Sequence, residues 1–172
     1  MNRRKFLQAA LITPVVVFAG VKTVAMARHY PLDELLTQLK RLPPDKLFSS
    51  GDWSVSMILQ HLAQSIRYSR LGYPQAKSAL FQYTAGAAAL NVFTASGSMT
   101  HRLDEAIPGA PALIKAVPND VAMAELIAEI SQFIAWQGEL APHFAYGNLT
   151  KAQYYNAHYL HIQNHLSEIS LG

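Results

Sequence analysis

Histidine offers the most chemistry in this 172-residue chain, because seven histidines are present and cysteine is absent. His161 and His165 stand four residues apart in a stretch with helical periodicity, so both side chains would project from one helix face, one turn apart. Helical metalloproteins use this spacing to aim two imidazoles at one ion. A third imidazole would complete a three-histidine site, and His61 is the natural donor because Ile58 and Leu62 mark an inward face beside it.

The other histidines leave alternatives open. His158 projects within about 60° of His161 on a helix, so it could replace His161 as a ligand or support a ligand from behind. His143, in the turn before the last helix, is either a group at the mouth of the bundle, acting as an acid/base group or as an outer-shell ligand, or a loop residue bonded to backbone. His101, at the start of a proline-rich loop, is predicted to be exposed. Without a metal, such histidines would be ordinary hydrogen-bonded residues where helices meet.

These histidines must be positioned by helices, because the helical period dominates and no segment alternates long enough to predict a strand. The pattern predicts a short helix over 32–39 and longer helices over 55–71, 75–98, 120–138 and 150–170. The helix predicted over 75–98 has few polar residues on any of its faces, which favours its burial within the fold. A long loop over 99–119 contains three prolines and is kept as a candidate lid. The fold class is therefore all-α.

Composition excludes several function classes. The absence of cysteine rules out a disulfide framework, a thiolate nucleophile and an iron–sulfur site. Arg3, Arg4, Lys5 and Lys22 account for the net charge of +3, because without them ten basic residues face eleven acidic ones. A body with that balance lacks the basic surface that nucleic-acid binding requires, so no nucleic-acid partner is expected.

Residues 1–27 have the composition of an export signal. Arg3 and Arg4 precede a modestly apolar stretch, and alanines at 25 and 27 suit signal peptidase. The arginine pair followed by Lys5 resembles the twin-arginine export consensus, which predicts a periplasmic or otherwise exported protein over residues 28–172, without stable membrane insertion after cleavage. The alternative is an uncleaved membrane anchor over 6–27, against which Lys22 and Pro14 argue.

Several motifs, in order, resemble those of the DinB/YfiT-like superfamily. Trp53-Ser54 opens a helix that carries Ile58-Leu59-Gln60-His61-Leu62, and a late helix carries His161-Ile162-Gln163-Asn164-His165-Leu166. The segments 72–74, 103–111 and 142–150 are similar to an uncharacterised branch of that superfamily, and the resemblance covers residues 31–170. It implies a four-helix bundle with a short extra N-terminal helix, a homodimer, and His61, His161 and His165 as ligands of zinc, nickel or iron.

The sequence thus predicts an exported helical bundle that binds a divalent metal through three histidines. A metal-dependent hydrolase or transferase acting on a small molecule is the enzyme hypothesis. The last helix lacks the Arg-Gly-Gln stretch common after the second histidine in other members of the superfamily, so their thiol-transferase and hydrolase activities are not transferred. The alternative is a metal-free helical module that binds an apolar ligand or a protein partner through the alanine-rich third helix.

Overall fold

The computed structural model describes residues 19–172, and these residues are mostly helical. Residues 19–27 are helical. Arg3 and Arg4, which belong to the predicted export signal, lie outside the described residues. The remaining helices are α1 (Leu32–Leu39), α2 (Val55–Leu71), α3 (Ala79–Phe81), a π-helical turn (Gln82–Gly86), α4 (Ala87–Ser96), α5 (Asn119–Ala135) and α6 (Lys151–Leu166), with a 3₁₀ turn at Pro44–Lys46.

Local capping chemistry explains where the two histidine-bearing helices begin. The Ser54 side chain accepts a hydrogen bond from the Met57 backbone N–H at the start of α2. Thr150 and Gln153 form a reciprocal capping box, in which each side chain accepts from the other residue's backbone N–H. The predicted helices over 32–39 and 55–71 are therefore confirmed, and so is the start of the last helix.

A small antiparallel sheet corrects the prediction that the chain has no strands. Strand β1 (Leu47–Ser49) pairs with β2 (Ile169–Leu171), and Leu47 lies opposite Leu171. The last helix accordingly ends at Leu166 rather than near residue 170. Three-residue strands are too short to produce a visible alternation of polar and apolar residues, and their pairing joins parts of the chain far apart in sequence.

One hydrophobic core lies between α1, α2, α5 and α6, with α2 packed along α5. Its fully buried side chains repeat at helical spacing, which is why the periodicity of the sequence located the four helices of this core to within a few residues of their bounds. The larger ones are Leu32, Leu39, Ile58, Leu59, Leu62, Ile66, Leu126, Ile130, Phe133, Tyr154 and Ile162. His61 and His165 project from this core, so the histidine-bearing faces of α2 and α6 are held by tight packing.

The apolar third helix differs from its prediction. It starts at Ala79 rather than 75 and is interrupted by the π-helical turn, and Leu80 and Tyr83 are 76% and 69% exposed. Within α3, the π-helical turn and α4, the buried residues are Gly86, Leu90 and Thr94. The prediction of burial was wrong because an apolar composition does not determine whether a neighbouring element covers a helix face.

Two salt-bridged arginines join α2 to α5. Arg67 contacts Glu125 at 2.5 Å and Glu129 at 2.8 Å, and Arg70 also pairs with Glu129. Glu129 and the Arg70 side chain are buried, so this network is a charged inclusion beside an apolar core. Among the described residues, no helix has the length and apolarity needed to cross a bilayer.

Candidate metal centre

The three histidines predicted as ligands meet between α2 and α6. His61 Nε2 lies 3.3 Å from His161 Nε2, and the His165 ring centroid lies 4.9 Å from each of the other two. His61 and His165 are buried, with 4% and 0% of their surface exposed, and His161 is half-buried. The i,i+4 spacing on α6 therefore brings both of its rings to the inward face of α2.

A fourth histidine, His101, joins this group from the loop that follows α4. Its ring centroid lies 5.0 Å from that of His161 and 5.2 Å from that of His165. One ring nitrogen from each of the four histidines falls within 4.8 Å of the others. His101 is exposed, as predicted, but it also faces the cluster, which was not predicted. A loop residue has no periodicity to indicate its direction, and the only signal was an additional histidine in a long loop.

Polar side chains of α2 form hydrogen bonds with the loop that carries His101. The Gln60 carboxamide donates to the Ile114 carbonyl oxygen at 2.9 Å and accepts from the Ile114 N–H at 3.0 Å. Gln64 donates to the Pro111 carbonyl oxygen at 3.1 Å. At the cluster itself, the Asn164 carboxamide nitrogen lies 2.7 Å from His101 Nδ1. The helices that supply the three predicted ligands thus also hold the loop in place.

His158 stands apart from the four-histidine group. Its ring meets the edge of Phe133 at a centroid distance of 4.7 Å and stacks on Tyr154 at 5.2 Å. Among the described residues, the cluster whose ring nitrogens converge contains His61, His101, His161 and His165. The structure therefore gives no support to His158 as a replacement for His161.

Trp53 packs against the two buried histidines. Its ring is parallel to that of His165, with a 5° interplanar angle and a centroid distance of 6.3 Å, and it meets the His61 ring at 5.1 Å and 60°. Trp53 immediately precedes the N-cap residue of α2, so its position is set by the start of that helix. These contacts restrict the orientations of both imidazoles and cover part of the cluster from water.

Several ring nitrogens in the cluster have no partner in the described part of the chain. They are His61 Nδ1 and both ring nitrogens of His165. A buried polar atom without a hydrogen bond costs about 1–3 kcal/mol, so orphaned atoms in a native structure require an explanation. A cation bonds to one nitrogen of each imidazole ring, so an ion in the cluster would satisfy one of the two His165 nitrogens, and the residues present fit such an ion.

Burial keeps these imidazoles neutral. It lowers the pKa of His61 to about 4 and that of His165 to about 3, and the pKa of His161 lies well below its usual value for the same reason. Repulsion between the neighbouring rings adds to the effect of burial. At neutral pH each ring therefore keeps a lone pair, which is the state a metal ligand requires.

A cavity of about 250 Å³ opens beside the cluster. Its lining includes His61, His101 and His161 of the cluster, and also His143 and His158. His143 is buried in a tight turn, where its Nδ1 accepts hydrogen bonds from the N–H groups of Ala145 and Tyr146 at 3.1 and 3.3 Å. The backbone-bonded alternative for His143 is therefore correct, although the residue also faces the cavity.

Acid should destabilise the protein through His143. Burial, assisted by His158, lowers the pKa of His143 to about 3, whereas an unfolded chain protonates it near pH 6.5. Between these values the unfolded state binds more protons, so the stabilising contribution present above pH 6.5 is lost as the pH falls, by about 1.4 kcal/mol per pH unit.

His143→Asn is the matched variant for this effect, because an Asn oxygen can replace Nδ1 as the acceptor but does not titrate. Urea unfolding of the chelator-treated protein between pH 7 and 4 should show a smaller pH dependence in this variant. Equal pH dependence in both proteins would contradict the assignment.

Comparison with known proteins found one family. A family model described as "Protein of unknown function (DUF1569)" matches residues 25–171. No match was found among the curated proteins or among the solved structures.

Proposed function

The chain belongs to the DUF1569 family, whose description names no activity, and we propose from the site itself that it is a metalloprotein with one divalent transition-metal ion. In this proposal His61, His161 and His165 are the principal ligands, and His101 is a fourth. The observation that carries the proposal is the convergence of four imidazoles from three separate parts of the chain, with buried ring nitrogens that lack partners.

The donor set determines which ions are suitable. The cluster offers ring nitrogens and contains no carboxylate, so it suits zinc, nickel, iron or copper rather than calcium or magnesium, which prefer oxygen. The buried rings are already neutral, so binding would not have to displace protons from them at neutral pH. Zinc, nickel and iron are the ions to test first, because the motifs of the sequence resemble those of a superfamily that binds them.

A metal-dependent reaction on a small molecule is the activity this site supports best. The bound ion would supply Lewis-acid polarisation of a substrate oxygen. The chain contributes the buried rings that fix the ion, the Trp53 ring that excludes water, and a cavity that reaches the cluster. His101 is the exposed ligand and lies on a loop, so its departure is the simplest way to open a coordination position. A hydrolase or a transferase is consistent with these features.

We also propose the finer classification suggested by the motifs: a DinB-like four-helix bundle, exported through the twin-arginine route and forming a homodimer. The shared core of α1, α2, α5 and α6 supports the bundle, and the residues before position 28 support export. The mass of the protein recovered from the periplasm checks the cleavage site. Sedimentation of the purified protein checks the dimer.

Elemental analysis tests the metal proposal. Protein purified without an affinity tag should contain about one equivalent of zinc, nickel or iron, and the His61→Ala, His165→Ala double variant should contain little. Native-state binding should also raise the melting temperature, because an ion at 100 times its Kd adds about 2.7 kcal/mol of stability. Equal metal content in both proteins, or a melting curve unchanged by chelator, would remove the proposal.

A second candidate is a metal-free module that binds a protein partner. The observation in its favour is the exposed apolar surface of α3, the π-helical turn and α4, where Leu80, Tyr83 and Val92 are 76%, 69% and 49% exposed. The same elemental analysis separates the two candidates, because this module would contain no stoichiometric metal.

A further inference from the structure

We propose that the cavity beside the histidine cluster binds a small, uncharged, mainly apolar molecule with one hydroxyl or carbonyl group, and that His143 bonds to this group. The inference rests on the proposed function in so far as it treats the cavity as substrate space. The binding itself requires no metal, so it can be tested separately. Three observations support the inference: the mainly apolar lining, the opposite charges of the two exposed charged residues that line the cavity, and the fixed orientation of the His143 ring.

The cavity walls favour an apolar, uncharged molecule. Most of the surface that lines the cavity is apolar. Within the described part of the chain, the charged residues that line it are Lys77 and Glu105, which are both exposed and opposite in sign. When no metal ion is bound to the cluster, a charged ligand inside would lose hydration without gaining a buried counter-charge. The apolar lining consists mainly of Phe81, Phe93, Met99, Ile107, Phe144 and Ala157.

His143 provides a fixed polar contact in this cavity. Its Nδ1 already accepts from two backbone N–H groups, so the neutral ring carries its proton on Nε2. The ring is held by stacking on Tyr146 at a centroid distance of 4.3 Å, and by the pair of backbone bonds between His143 and Gly147 at 2.8 and 3.0 Å. His143 therefore offers a positioned N–H donor, which suits a hydroxyl or carbonyl oxygen.

His158 gives independent evidence that the cavity suits a ligand with a polar group. It lines the same cavity and is 2% exposed, yet its Nε2 has no hydrogen-bond partner in the described structure. Its surroundings are otherwise aromatic, with Phe133 and Tyr154 against the ring. A hydroxyl group near both histidines could accept from His143 and donate to His158.

The cavity is preformed because the π-helical turn is clamped to the His143 turn. A Cβ added at Gly86 would overlap the Ala145 carbonyl oxygen, so the two backbones are in direct contact. Gln82 donates to the Phe144 carbonyl oxygen at 3.1 Å, and the Lys77 N–H donates to the same oxygen at 2.8 Å. Such π-helical turns occur frequently at functional sites, and here Gly86 of the turn lines the cavity.

Three naphthalene probes test the inference by fluorescence titration, with the chelator-treated and the zinc-loaded protein measured separately. 2-Naphthol should bind about fivefold more tightly than naphthalene, which has the same ring system but no hydroxyl, because one hydrogen bond contributes roughly that factor. Naphthalene-2-sulfonate should bind the chelator-treated protein more weakly than either. A sulfonate that binds the chelator-treated protein as tightly as 2-naphthol does, or an absence of 2-naphthol binding in both preparations, would overturn the proposal.

Two matched variants localise the binding. Ala89 lines the cavity and exposed Ala85 does not, so Ala89→Phe should abolish binding whereas Ala85→Phe should leave it unchanged. His143→Asn keeps the Nδ1-like acceptor but loses the Nε2 donor, so it should equalise the affinities for 2-naphthol and naphthalene. Equal binding of 2-naphthol by the two Phe variants would refute the site. An unchanged preference of His143→Asn for 2-naphthol over naphthalene would also refute it, and this second test does not depend on the folding of Ala89→Phe.

These results separate the inference from the proposed function. Binding by the chelator-treated protein together with no stoichiometric metal in elemental analysis would leave the cavity proposal standing and remove the metal centre. The converse result, one equivalent of metal with no probe bound in either preparation, would remove the cavity proposal and leave the metal centre.

Discussion

His165→Ala should lower the affinity of the protein for zinc by more than about 100-fold. Loss of a residue that only supports a ligand typically costs 10–100-fold in metal affinity, and loss of a buried ligand should cost more. His165 is fully buried, and both of its ring nitrogens lack hydrogen bonds in the described structure, so it has no other stabilising partner for those atoms. Competition against a chromophoric chelator of known affinity measures the change.

The other histidines should follow a definite order. His61→Ala and His161→Ala should resemble His165→Ala, because the Nε2 atoms of His61 and His161 lie 3.3 Å apart beside the His165 ring. His101→Ala should cost roughly tenfold, because an exposed loop ligand loses more freedom when it is fixed and so contributes less net affinity. His158→Gln should leave zinc affinity unchanged.

Circular dichroism of each variant separates loss of a ligand from loss of the fold. A large effect from His158→Gln in a folded protein, or a negligible effect from His165→Ala, would contradict the assignment of ligands. A His101→Ala effect as large as that of His165→Ala would show that His101 is a full structural ligand rather than an exchangeable one.

Glu129→Leu should destabilise the protein by roughly 3–5 kcal/mol, which is the usual cost of leaving a buried charge without its partner. Glu129 is 6% exposed and pairs with both Arg67 and Arg70. Of the two arginines, Arg70 is the more buried, with 6% of its side chain exposed, so its guanidinium would lose its main counter-charge. Urea unfolding of the chelator-treated protein measures the free energy.

Two comparisons make this prediction specific. The double variant Arg70→Met, Glu129→Leu should recover much of the lost stability, since an apolar pair avoids the desolvation of both charges. Asp104→Asn, which removes an exposed partner of Arg102, should not change stability measurably. A double variant no more stable than Glu129→Leu would show that the cost comes from packing and not from the unpaired charge.

Much of the helical structure could be predicted because its signals are local. The leucines of α1, the apolar repeat of α2 and the Thr150–Gln153 capping box each specify a helix through residues three or four positions apart. The same short-range geometry placed His161 and His165 on one face. It also placed His61 on an inward face, because the residues around it follow the core periodicity.

The features that failed depend on contacts between distant segments. The pairing of Leu47–Ser49 with Ile169–Leu171 joins residues more than a hundred positions apart, and nothing in either triplet specifies the other. The exposure of Leu80 and Tyr83 depends on which elements happen to cover α3 and the π-helical turn. In both cases the local pattern is compatible with more than one environment.

By itself, the sequence determined that the chain is mostly helical, that His161 and His165 share one face of the last helix, and that His61 lies beside the inward face of α2. Only the tertiary structure decided that His101 faces these histidines while His158 packs against Phe133 and Tyr154. The physical reason is that a helix fixes the directions of its side chains at every turn, whereas a loop is directed by its anchors, here Gln60 and Gln64 on α2.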